Sequence, residues 1–315
     1  MCRVVDLRQA VLAKNDGAAH ALRAELAARA TVAVNLLSSP GSGKTALLEH
    51  ELLLARERGI AVAALTADLA TENDAVRLAR SGVPVKQVLT DGLCHLEAAM
   101  LRRHLDGWLP ADTRLLFVEN VGNLVCPASY DLGETLRVVL ASVTEGEDKP
   151  LKYPTAFGLA HLVVVTKADI AGAVAFDEEA FRANVQQVNP GVEVVLTSAR
   201  TGVGAGILLD RVLAVGAGAA VHAPVMAQRQ AEGGRGHDHG YGHDHGPGHT
   251  HDHPDGDDHD HADGRDHGHD HGEDRDHGHT HTPPHVNGSG SARGHLPSDP
   301  AALPQAPPAA PAQTR

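Results

Sequence analysis

Aromatic side chains are scarce in this 315-residue chain: one Trp, three Tyr and four Phe make up 3% of it. A core must therefore come from Leu, Val, Ala and Ile, and nothing supports a nucleic-acid surface of interleaved basic and aromatic residues. Cysteine is nearly absent as well. Cys2, Cys94 and Cys126 are an odd number with no disulfide framework, so reduced thiols and a cytoplasmic setting are expected. No uninterrupted apolar run reaches the roughly 18 residues of a membrane helix. The nearest stretch, 205–227, is broken by Asp210, Arg211 and several Gly. The first residues lack a basic segment followed by an apolar core, so no secretory leader is expected.

Basic excess is also missing, since the formal net charge is −13. Residues 1–232 hold 22 Lys or Arg against 26 Asp or Glu, a balance of −4. The acidity belongs mainly to the end of the chain and says nothing about the partners of the rest. Histidine is concentrated there too, with 17 of the 23 between His237 and His295. Three regions are expected: an N-terminal helical segment (1–30), a nucleotide-binding α/β domain carrying a metal site (31–220) and a disordered tail (221–315), rich in His, Asp and Gly over 233–285. The tail has almost nothing apolar to bury, so it cannot offset the entropy lost on ordering.

What is present begins with Val32–Leu37, an apolar strand running into Ser38-Ser39-Pro40-Gly41-Ser42-Gly43-Lys44-Thr45 and then the opening of a helix. Strand, Gly-rich turn and helix N-terminus form the setting of a phosphate-binding loop. Backbone N–H groups of Gly41, Ser42 and Gly43 surround a polyphosphate, Lys44 reaches its outer phosphates, and the Thr45 hydroxyl ligates magnesium. Further short apolar runs alternate with helical patterns. The expected fold is an α/β P-loop NTPase with a mostly parallel sheet of about seven strands covered on both faces. Ahead of it, Asn15-Asp16-Gly17 predicts a break in the helical segment from Asp6 to Ala30.

Acids are expected where strands end. Asp68 follows the second strand, Asp74 lies on the next segment, and Glu119 follows the apolar run 113–118. Asp68 and Asp74 are candidates for magnesium or its water shell, and Glu119 for that shell or the attacking water. Lys167-Ala168-Asp169 follows another buried strand. A carboxylate there accepts both N1–H and N2–H2 of guanine, a donor pair adenine lacks. Lys167 can cover the base, and Ser198-Ala199 can offer a backbone N–H to O6.

Cys94-His95, at the start of a helix expected over about Leu93 to Leu105, and Cys126 form a second constellation. Two thiolates and an imidazole suit nickel or zinc rather than magnesium. Cys126 lies just past the segment expected to sense the γ-phosphate, so metal affinity and nucleotide state could be coupled. In the tail, His237, His239, His243, His245, His259, His261, His267, His269 and His271 stand beside carboxylates or glycines, an arrangement suited to a nickel reservoir.

Several stretches together resemble the nickel-inserting GTPases of NiFe-hydrogenase maturation, a SIMIBI-class P-loop family. They are Asn15-Asp16, Ser38 to Thr45, Gly92-Leu93-Cys94-His95-Leu96-Glu97-Ala98, Glu119 to Pro127, Thr144 to Pro154 and Thr166 to Asp169. The resemblance implies a homodimer formed or tightened by GTP. It also implies slow hydrolysis that drives nickel release to a partner maturation chaperone and the hydrogenase large subunit. It places nickel or zinc on Cys94, His95 and Cys126 near the dimer interface. Ala99 stands where some relatives have a further histidine, the Cys-rich N-terminal nickel motif of many relatives is missing, and the His-rich segment follows the GTPase domain instead of preceding it. A urease-type nickel-insertion GTPase and a nickel storage or detoxification protein are the alternatives.

Overall fold

Each continuous apolar run becomes a strand, and the strands join in one sheet. The computed structural model describes residues 2–68, 72–90 and 92–227. Its strands are β1 (Val32–Ser38), β2 (Val62–Asp68), β3 (Val85–Leu89), β4 (Leu115–Glu119), β5 (Leu136–Ser142), β6 (Leu162–Thr166) and β7 (Val194–Leu196). They lie in the order β3-β2-β4-β1-β5-β6-β7, with every neighbouring pair parallel. A parallel sheet is covered on both faces, which is why β4 and β5 are buried at every position.

The helices are α1 (Cys2–Ala28), α2 (Lys44–Glu57), α3 (Asn73–Ala79), α4 (Ala98–Leu105), α5 (Lys149–Lys152), α6 (Pro154–Gly158), α7 (Glu178–Val188) and α8 (Ile207–Gly216). Val34 and Leu36 of β1 pack with Leu48 and Leu52 of α2, Leu78 of α3 and Leu209 of α8. The intervening residues face the other way. Ala33 joins Leu22 and Leu26 of α1 and Leu101 of α4, while Leu37 joins Phe157 of α6 and Phe181 of α7. Alternate residues of β1 thus feed opposite layers. Because all strands run one way, the loops after β1, β2, β4 and β6 open on a single edge.

Two local expectations are corrected. Helix α1 runs unbroken through Asn15-Asp16-Gly17. Asn15 is buried, and its amide donates to Asp131 O at 2.8 Å while its carbonyl accepts from Ala98 N at 2.9 Å. With both ends spent on distant backbone, the side chain does not compete for the helix's own bonds. Helix α4 begins at Ala98 instead of near Leu93, so Cys94 and His95 lie in the turn before it. The expected tail from 228 onward lies outside the described residues. Among those described, no helix is long and apolar enough to cross a membrane.

Helix α8 starts at Gly206 without a side-chain cap of its own. The buried Glu51 of α2 serves instead, accepting from Gly206 N at 3.1 Å and Leu209 N at 3.0 Å. Burial pushes its carboxyl up to about 7, against the pull of those two donors. A folded pKa above the unfolded one gives stability that is complete below the unfolded value, near 4.5, and is lost as pH rises through about 7. Over that window the loss is on the order of 3 kcal/mol. Denaturant unfolding from pH 4.5 to 8 should show a flatter profile for Glu51→Gln than for the natural chain; parallel profiles would contradict the assignment.

Candidate functional site

The turn after β1 needs two left-handed glycines, Gly41 at φ 72° and Gly43 at φ 93°. Gly43 then starts α2, so the first turn of that helix faces the cavity with its N–H groups free of a capping side chain. A cavity of about 470 Å³ lies over this turn, lined by Ser38 to Ala46 together with Asp68, Asp74, Arg77, Val121 and Gly122. Gly122 presses on the turn closely: a Cβ there would come within 3.2 Å of Pro40 Cα. The chain after β4 therefore packs directly on the phosphate loop.

Inside the cavity the acids meet the loop. Lys44 Nζ lies 3.2 Å from Glu119 Oε1. The Thr45 hydroxyl lies 2.6 Å from that same oxygen and 3.0 Å from Asp74 Oδ1. Asp68 ends β2 on the cavity wall. Glu119 is 1% exposed, and its Oε2 is buried with no hydrogen-bond donor. A hydroxyl and carboxylates around an under-satisfied buried oxygen are the hard-oxygen donor set that magnesium takes.

A second cavity, about 290 Å³, adjoins the first and is walled by Gly43, Thr166, Lys167, Asp169, Ser198 and Ala199, among others. Lys167 adopts a left-handed backbone at φ 59°, and its ammonium donates to Gly41 O at 2.8 Å, so the alkyl stem spans the space between phosphate loop and pocket. Asp169 Oδ1 accepts from the Ser198 hydroxyl at 2.6 Å, leaving further lone pairs for a ligand.

At the far side of the β4 loop, the Cys94 and Cys126 thiols come together. The Cys126 side chain, then partial burial, pushes the Cys94 thiol up. Cys94 Sγ lies 3.7 Å from His95 Nδ1. The His95 ring stacks on Tyr130 with centroids 3.9 Å apart. Its Nε2 is buried without a hydrogen-bond partner, and burial lowers its pKa against the opposing pull of Glu97, favouring the neutral ligand form. Among the described residues no three His, Cys, Asp or Glu side chains converge as one metal cage. The thiols pair and His95 stands beside Cys94, but the three are not drawn into one chelate. The tail histidines His237 to His271 lie outside the described residues.

Lys149 was not singled out from sequence. It donates to Ser39 Oγ at 2.6 Å and pairs with Glu145, tying the segment after β5 to the phosphate loop. Its stretch, Thr144 to Pro154, carried part of the resemblance and was the available signal.

Residues 32–196 match the family described as CobW/HypB/UreG, nucleotide-binding domain. The hydrogenase maturation factor HypB of Azotobacter chroococcum is 48% identical over 205 residues, 65% of this chain and 67% of that protein. A crystal structure of HypB from Helicobacter pylori in complex with nickel aligns with a TM-score of 0.60 at 36% identity, covering 64% of this chain and 95% of that one. HypB from Archaeoglobus fulgidus aligns with a TM-score of 0.60 at 35% identity, covering 65% and 100%.

The pocket gives a chemical test. Replacing Asp169 by Asn exchanges an acceptor for a donor, matching the keto group of xanthine rather than the amino group of guanine. Competition binding should shift preference from guanosine to xanthosine nucleotides by at least about tenfold, the value of one or two buried polar contacts. An unchanged preference would remove Asp169 from base recognition.

Proposed function

The chain belongs to the CobW/HypB/UreG nucleotide-binding family, and on that premise we propose that it is a GTP-hydrolysing nickel metallochaperone for NiFe-hydrogenase maturation. The observation that carries the reading is the position of Cys126. It lies seven residues beyond Glu119, on the segment whose Gly122 packs against the phosphate loop. A ligand change in the phosphate-loop cavity thus has a short path to the thiol pair.

In this reading the guanine base enters the pocket of Asp169, Lys167, Ser198 and Ala199, and the polyphosphate lies over Gly41, Ser42 and Gly43. Lys44 exchanges Glu119 for the phosphates and stabilises charge on the transferring phosphoryl group. Magnesium, when bound, neutralises charge on the β- and γ-phosphates, with Thr45 and Asp68 or Asp74 as its protein oxygens. Glu119, released from Lys44, orients the attacking water or holds the metal's water shell. Hydrolysis acts as a switch, and the delivered cargo is nickel.

Cys94, Cys126 and His95 take nickel or zinc. Exposed apolar side chains flank the thiols, Leu93 at 41% and Val125 at 64% exposure. That surface supports a GTP-dependent homodimer in which a second copy covers the metal, with a maturation chaperone and the hydrogenase large subunit as recipients. The tail serves as a reservoir. The last described segment returns to the opposite end of the sheet, where His222 Nε2 lies 2.8 Å from Asn189 Oδ1. Tethering within one chain supplies the high effective concentration that a reservoir needs.

The reading is tested in cells and in solution. Lys44→Ala at normal abundance should abolish nickel-dependent hydrogenase activity, and chains ending at residue 232 should bind far fewer nickel ions with GTP turnover within about twofold. Full hydrogenase activity with Lys44→Ala would reduce the protein to nickel storage.

A further inference from the structure

Asn120, next to Glu119, is 1% exposed, and its side chain holds two loops together. Its backbone N–H donates to Leu36 O at 3.1 Å, fixing it to β1 immediately before the phosphate loop. Its Oδ1 accepts from Val121 N at 2.9 Å and, at 3.4 Å, from Leu96 N, the residue after His95. Its amide donates to Asn35 Oδ1 at 3.3 Å.

The network continues to the second thiol loop. The Asn35 amide approaches Glu134 Oε1 at 3.5 Å, and the same oxygen accepts from Arg137 Nε at 2.7 Å. Arg137 then donates to Ala128 O at 2.9 Å and Tyr130 O at 3.0 Å, on the turn that follows Cys126. Tyr130 carries the ring on which His95 stacks. Both metal-bearing loops are thus tied by buried hydrogen bonds to a residue whose neighbour in sequence touches Lys44 and Thr45. In a buried polar network a shift at one member leaves other groups unsatisfied, so the members move together or not at all.

We propose that Asn120 is the positioning residue that couples the two sites: its carboxamide moves the Cys94–Leu96 turn with the end of β4 when a triphosphate takes Lys44 from Glu119. This deepens the nickel-switch reading and rests on it. Asn120 is buried and lines neither the phosphate-loop cavity nor the base pocket, so its removal should change the dependence of one affinity on the other ligand more than either affinity alone.

The test uses the full chain in a Cys2→Ser background, which leaves Cys94 and Cys126 as the only thiols. Nickel(II) is titrated against a competing chelator under GDP and under a nonhydrolysable GTP analogue, reading the thiolate-to-nickel charge-transfer band. The tail has no cysteine and cannot give that band. The background protein should show apparent nickel affinities differing about fivefold or more between the nucleotides, the lower range of typical coupling. Asn120→Ala should bring the ratio to within about twofold of one, with GDP affinity nearly unchanged. Asn120→Ser keeps an oxygen for Val121 N but is too short for Leu96 N, so it should do the same and decides the matter if the Ala variant does not fold. A ratio preserved in the folded variant overturns the inference alone. Equal loss of nickel affinity under both nucleotides marks a merely structural residue and also overturns it. A background ratio of one overturns both the inference and the coupled-switch reading.

Discussion

The Glu119 carboxylate is the constraint on which the phosphate-loop end of the sheet depends. It lies buried at the end of β4, with Lys44 Nζ at 3.2 Å and the Thr45 hydroxyl at 2.6 Å from one oxygen. A buried carboxylate is costly without compensating partners. Any ligand that draws Lys44 to itself must therefore supply a replacement, or the end of β4 must move. Under the proposed function, a triphosphate with its metal ion would do the first and its loss would restore the present pairing, giving the loop the two arrangements that a switch needs.

The fold gives this exchange its reach. Parallel strands bring the phosphate loop, Asp68, Glu119 and Thr166 to one edge of the sheet. Gly122 removes the side chain that would separate the β4 loop from Pro40. From there to Cys126 the chain is short, and Pro127–Ser129 forms a tight turn held through Arg137. Soft sulfur donors and hard oxygen donors thus sit at opposite ends of one loop, each suited to a different metal.

Much of this was legible from sequence because the signals were local. Apolar runs marked the central strands, since a sheet covered on both faces leaves no alternation to confuse, whereas the edge strand β3 carries Lys86 and Gln87. The phosphate loop and the acids at strand ends were readable for the same reason. The failures had distant causes. Asn15 appeared to break α1, yet its partners are Asp131 and Ala98, more than 80 positions away. The start of α4 was misjudged because the Cys94–Glu97 turn is held by Asn120 and not by a cap of its own. Asn120 carried no local signal of its own, since its partners Asn35 and Leu96 meet only in the folded protein. The histidine-rich tail was visible through composition alone, and its geometry is no part of the described residues.

Backbone amide hydrogen exchange on the full chain, compared between GDP and a nonhydrolysable GTP analogue with magnesium, reads the shared movement with no nickel or zinc on the thiols. The account predicts that protection changes together in the peptides covering 119–126 and 92–98. A change confined to the phosphate loop, with both of those segments unaltered, would contradict it.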